Sequence, residues 1–132
     1  MKLIILTLML SVSFLLTDKA YAKCQFEFKD ICAEVKFKKK PSRSYSSDFT
    51  LHFYDKKTKK LKMPNFDVHS YIWMNMGDHS HGSSEVLIEK KKDYYLIKNV
   101  WFVMVGSWEL HVSLGDKENP SEKKKIIVKI GK

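Results

Sequence analysis

Past residue 22 the apolar positions recur at every second residue, and this alternation predicts strands rather than helices. Phe26 and Phe28, then Val35 and Phe37 after a turn, alternate with polar neighbours. Phe49, Leu51 and Phe53 alternate with Thr50, His52 and Tyr54 and stop at Asp55. Val68, Ser70, Ile72, Met74 and Met76 line one face of a further strand, opposed by His69, Tyr71, Trp73 and Asn75. Val86–Ile88 and Tyr94–Ile97 read as two short strands around a lysine turn, and Val100–Val105 as another that breaks at Gly106. Trp108, Leu110, Val112 and Leu114 set the inward phase of the next, and Ile126, Val128 and Ile130 that of the last.

Between these runs lie turn signals: the Ser-rich Pro41–Ser47, the polar stretch Gly77–Ser84, and a segment containing Pro120. Seven or eight short strands with no helical period predict an all-β sandwich, with a closed barrel as the alternative. Phe49, Phe53, Phe102 and Trp108 are the expected aromatic core. There is no repeat or low-complexity tract.

The first 22 residues break the pattern. Lys2, an apolar run over Leu3–Leu16 and Ala20-Tyr21-Ala22 form the n-region, h-region and A-x-A site of a secretory signal peptide. Cleavage near Ala22 predicts a periplasmic or otherwise exported product. Retention as an anchor is the rival, although the run is shorter than the roughly 20 residues that span a bilayer. Of 132 residues, removing 22 leaves 110, enough for one domain, residues 23–132. Export places Cys24 and Cys32 in an oxidising compartment, so a disulfide between them is expected. A metal-binding or redox thiol pair is the competing reading.

The formal charge is +9, and +8 without the leader, which holds two Lys and one Asp. Most lysines cluster in Lys38–Lys40, Lys56–Lys60, Lys90–Lys92 and Lys123–Lys125, where turns and strand edges are expected. They suit docking to an acidic partner protein or an anionic membrane surface. Nucleic acid is not an expected partner, because no binding motif is present.

Chemistry concentrates in Trp73-Met74-Asn75-Met76-Gly77-Asp78-His79-Ser80-His81-Gly82. Two of the four methionines and two of the five histidines beyond the leader fall here. Met74 and Met76 share one side of an extended segment, and His79 and His81 do so if the chain stays extended there. Thioethers suit Cu(I), and imidazole accepts Cu(I), Cu(II) or Zn(II). Met74 and Met76 also continue a strand's inward face, so core packing is an equal reading for each. Met104 is expected in the core. His52, His69 and His111 take the outward phase and are expected on the solvated surface, with His111 the best extra ligand among them. No G-x-S-x-G, H-E-x-x-H, C-x-x-C or phosphate-binding loop occurs, so an enzyme is not expected.

Three segments carry a resemblance. Met74-Asn75-Met76-Gly77-Asp78-His79 looks like the M-P-x-M-G-H turn of the YtkA-like family of small exported domains, with Asn75 in place of Pro and Asp78 inserted before His79. Tyr95–Gly106 is similar to the family segment leading into a G-x-W-x-hydrophobic strand, here Ser107–Val112. The family resembles CopC-type periplasmic copper proteins in architecture. The likeness implies an immunoglobulin-like antiparallel β-sandwich of about seven strands and, as in several members, copper handling at the outer face of the membrane. The expectation is a carrier or chaperone that binds one copper ion, as Cu(I) more than Cu(II), through Met74, Met76, His79 and His81, with Met104 and His111 as weaker additions. It would exchange copper with another exported protein. A metal-free interaction module of the same fold is the alternative.

Overall fold

The computed structural model describes residues 23–77, 79–82 and 85–132; the expected leader, residues 1–22, lies outside these. The period-two pattern resolves into strands wherever its apolar phase can be buried. β1 is Phe26–Glu27, β2 Ile31–Phe37, β3 Phe49–Asp55, β4 Val68–Asn75 and β5 Ser80–Gly82. β6 is Leu87–Lys90, β7 Tyr95–Lys98, β8 Gly106–Gly115 and β9 Pro120–Ile130. They form two antiparallel sheets, β1-β2-β3-β7-β6 and β5-β4-β8-β9. The architecture is an antiparallel β-sandwich, as the pattern predicts, and immunoglobulin-like, as the resemblance implies, with nine strands among the described residues rather than about seven.

The inward phases meet between the sheets. Phe26, Phe49, Leu51, Phe53, Phe102 and Trp108 are fully buried there, as the aromatic-core expectation requires. Phe102 meets Trp108 edge-to-face at 5.7 Å, and Phe53 meets Tyr95 in the same way at 5.8 Å. The Trp108 indole N–H donates to the Met104 carbonyl at 2.9 Å, so the one polar atom of the largest core side chain is satisfied.

The strand expected over Val100–Val105 does not form. Its alternating burial persists, with Val100 and Phe102 inside and Trp101 and Val103 outside. The segment follows Asn99, whose φ is 61°, and carries the chain from β7 in one sheet to β8 in the other, so it joins neither ladder. Its backbone is tied instead to the Ser-rich loop, where Ser47 N–H donates to the Val100 carbonyl at 2.7 Å. The polar segment expected around Pro120 is also shorter than its composition suggests, because β9 starts at Pro120.

Cys24 and Cys32 form the expected disulfide, which closes the β1–β2 hairpin. For so short a loop the chain-entropy stabilisation is roughly 2–3 kcal/mol. The lysine clusters sit where the pattern puts them. Lys38–Lys40 follow β2, Lys56–Lys60 follow β3 and Lys90–Lys92 end β6, while Lys123–Lys125 lie on β9, which borders its sheet.

Candidate metal site

The largest departure from the sequence reading is at Gly77–Ser84, expected to be a loop. The chain turns back at once: Met76 N–H donates to the His79 carbonyl at 2.9 Å, and residues 80–82 form β5 against β4. Gly77 takes φ 86°, a conformation that glycine adopts freely and that tight hairpin turns need. The Asn75 side-chain oxygen accepts from Gly77 N–H at 3.0 Å and pins the entry to the turn. β5 carries no apolar alternation, only Ser80-His81-Gly82, which is why no strand signal marks it.

This hairpin decides where the candidate ligands stand. Met74 opposes His81 and Asn75 opposes Ser80, so the bonded Met76 and His79 are the next pair along. Opposed residues of an antiparallel pair project from the same face, with β-carbons about 4.5–5.5 Å apart. Met74, Met76, His79 and His81 therefore occupy one face of the hairpin as two cross-strand pairs. The His79 and His81 rings are 5.7 Å apart, centroid to centroid, at an interplanar angle of 82°.

The face is graded in burial. Met74 is 5% exposed and belongs to the core, where its methyl would press at 3.1 Å on a β-carbon placed at Gly106. Met76 is 37% exposed, and His79 and His81 are exposed. The hairpin thus leaves the sandwich with its inner end packed and its outer end in solvent. Among the described residues no three His, Cys, Asp or Glu gather where they could hold a metal ion, so an ion here would need the methionine sulfurs beside the two imidazoles.

Neither weaker candidate belongs to the hairpin. Met104 is half-buried against the core cluster, as expected. His111 is neither on the solvated surface nor near the hairpin's Met/His face. It opposes Tyr71, one step out of phase with the Ile72–Leu110 pair that faces the core, so it projects from the outer face of the sheet, opposite Met74. There Tyr71 lies over it, rings parallel within 8° and 4.4 Å apart, leaving His111 only 8% exposed. Its Nε2 bonds the Glu109 carboxylate at 2.9 Å, while its buried Nδ1 has no hydrogen-bond partner among the described residues. Burial pulls its pKa below the ordinary histidine value, and the Glu109 bond opposes that only in part. Of the other histidines expected in solvent, His52 is partly buried against Tyr94, with rings 5.5 Å apart, and His69 is also partly buried.

No family model and no curated protein matches the chain. Among solved structures it is similar to the crystal structure of the Lin-41 filamin domain, with TM-score 0.50 and 14% identity over 78% of this chain and 98% of that one. At that identity the likeness concerns the fold alone, and the fold it supports is the immunoglobulin-like sandwich described above.

Proposed function

We propose that the protein binds one copper ion, as Cu(I), at the β4–β5 hairpin and acts as a carrier that exchanges it with another exported protein. One observation carries the reading: the His79 and His81 rings stand 5.7 Å apart on the face that the backbone register assigns to Met74 and Met76. Metal–imidazole bonds of about 2.0–2.1 Å bring two rings that share an ion to roughly 5–6 Å, centroid to centroid. The donor types agree with the ion. Thioethers bind Cu(I) without losing a proton, and they resist the disulfide formation that removes thiols in an oxidising compartment.

The gradient of burial suits delivery. Met74 is fixed by the core, while Met76, His79 and His81 are open to a partner at the tip of a rigid scaffold. The resemblance to the YtkA-like family, the signal-like leader and the disulfide support the same reading, and on it the protein binds and releases rather than catalyses. Titration with Cu(I) against a chromogenic chelator tests it. The native protein should withdraw copper from the chelator, and a Met76→Ala/His79→Ala/His81→Ala variant should not. Equal competition by the two would end the copper reading.

A further inference from the structure

The end of the sandwich where the chain crosses from β7 to β8 presents apolar side chains and positive charge together. Residues 100–105 lie against the core there: Val100 and Phe102 are fully buried, and Phe102 meets the Phe37 ring at 6.4 Å, centroid to centroid. The alternate side chains then project away from the core. They are Trp101, Val103 and Val105, exposed by 36%, 53% and 37%. The Trp101 indole N–H donates to the Asn99 side-chain oxygen at 2.9 Å. Its one polar atom is thus satisfied within the protein, so the ring can leave water without stranding a donor.

Cations stand at the same end. Lys38, Lys39 and Lys40 follow Phe37, and the loop that runs on from them through Arg43 is tied to the crossing segment. Ser47 N–H donates to the Val100 carbonyl at 2.7 Å, Val100 N–H to Ser46 Oγ at 3.1 Å and Asn99 N–H to the Asp48 carboxylate at 3.1 Å. The four cationic residues are exposed, and none of them forms an ion pair among the described residues. The carboxylates nearby are engaged. Asp48, half-buried, accepts from Ser46 Oγ and Asn99 N–H. Glu85, whose carbonyl accepts from the Asn99 side chain, turns its carboxylate to Lys117 at 3.5 Å. Glu89 is held by Lys91 and Lys98. The balance left at this end, among the described residues, is positive.

We propose that this end of the domain docks on an anionic phospholipid bilayer: Trp101, Val103 and Val105 enter the headgroup boundary, and Lys38, Lys39, Lys40 and Arg43 pair with lipid phosphates. Membrane-surface binding grows with the apolar area inserted and with the attraction of each cation to anionic headgroups, and tryptophan favours that boundary. An acidic protein fits less well. Protein interfaces are depleted in lysine and bury about 800 Å² per partner in matched shape. Three projecting side chains on a lysine-rich end suit instead a soft surface that needs no complementary contour. No hairpin donor takes part, so the proposal does not depend on copper.

Co-sedimentation of the purified protein with phosphatidylcholine vesicles, with and without phosphatidylglycerol, tests it, together with quenching by brominated acyl chains. Binding is expected to the anionic vesicles alone and should weaken as salt rises. Brominated lipid should quench part of the tryptophan fluorescence, and Trp101→Phe should remove that quenching, because Trp108 is buried and Trp73 belongs to β4. Lys38→Gln/Lys39→Gln/Lys40→Gln and, separately, Val103→Ser/Val105→Ser should each weaken binding about ten-fold or more. Both variants alter exposed side chains, and an unchanged thermal midpoint confirms that they fold. The proposal fails if anionic vesicles are not bound, if neutral vesicles bind as tightly, or if either variant binds like the native protein. It also fails if quenching survives in Trp101→Phe, or if polyglutamate, standing for an acidic protein, binds more tightly than the vesicles.

Discussion

Met74 separates packing from ligation more cleanly than any other residue here. It is 5% exposed, lies in the core cluster and has its methyl against Gly106, a residue with no side chain to move into a void. Met→Ala substitutions at buried sites cost about 2–5 kcal/mol, more where the surroundings cannot collapse. Met74→Ala should therefore cost about 3 kcal/mol, which in a domain of this size lowers Tm by roughly 12 °C. Met76, two residues on and 37% exposed, should tolerate alanine within about 0.5 kcal/mol. Urea unfolding would show the first as a lower midpoint at unchanged m. Met74→Leu conserves volume and should cost less than about 1.5 kcal/mol. Because it removes the sulfur but keeps the packing, it should still weaken Cu(I) binding, by about ten-fold. A Met74→Ala protein within 0.5 kcal/mol of native, or a Met76→Ala protein equally damaged, would refute the packing argument. A Met74→Leu protein with native copper affinity would remove Met74 from the ligand set.

Other expectations follow from the same geometry. Gly77→Ala forces a β-carbon into φ 86° and should cost about 1–2 kcal/mol; because the turn sets the Met76–His79 pair, copper affinity should fall with it, measured by the same chelator titration. Replacing Cys24 and Cys32 together by serine should cost roughly 2–3 kcal/mol in a urea melt, and a thiol assay on the unreduced, denatured native protein should find none. His111 has its folded-state pKa held down by burial, so the unfolded chain binds its proton more readily. Stability should therefore be intact above the unfolded value of about 6.5 and decline as pH falls through it, levelling off below the folded value. In thermal melts from pH 8 to 5, His111→Gln should flatten that decline. Glu89, held at about 2 by the Lys98 and Lys91 ammonium groups, should contribute stability above its ordinary carboxylate range and lose it as pH falls toward 2. Added salt should shrink this effect, because the side chains are well exposed.

Much of the sandwich is written in its period. Burying one face of a strand demands apolar residues at every second position, so Phe49-Leu51-Phe53 and Trp108-Leu110-Val112-Leu114 announce both their strands and their inward side. The same rule marks Met74 as a core candidate, whereas the Cys24–Cys32 bridge is predicted by the export signal and the oxidising compartment it implies. It is silent where pairing does not bury an apolar face. Ser80-His81-Gly82 becomes β5 because a tight turn returns it to β4, and that return aligns His79 and His81 with Met76 and Met74. Val100–Val105 has the alternation of a strand without a ladder, because it crosses between sheets. His111 has the phase of a surface residue, yet it is buried because Tyr71 from the neighbouring strand lies over it. Periodicity along one strand reports which way a side chain points; what lies beside it depends on strand order and register, which bring together residues distant in the chain. The candidate ligands in Met74–His81 are therefore legible in the sequence as residue types, while their two-by-two arrangement, and the aromatic face behind it, are decided by the tertiary structure.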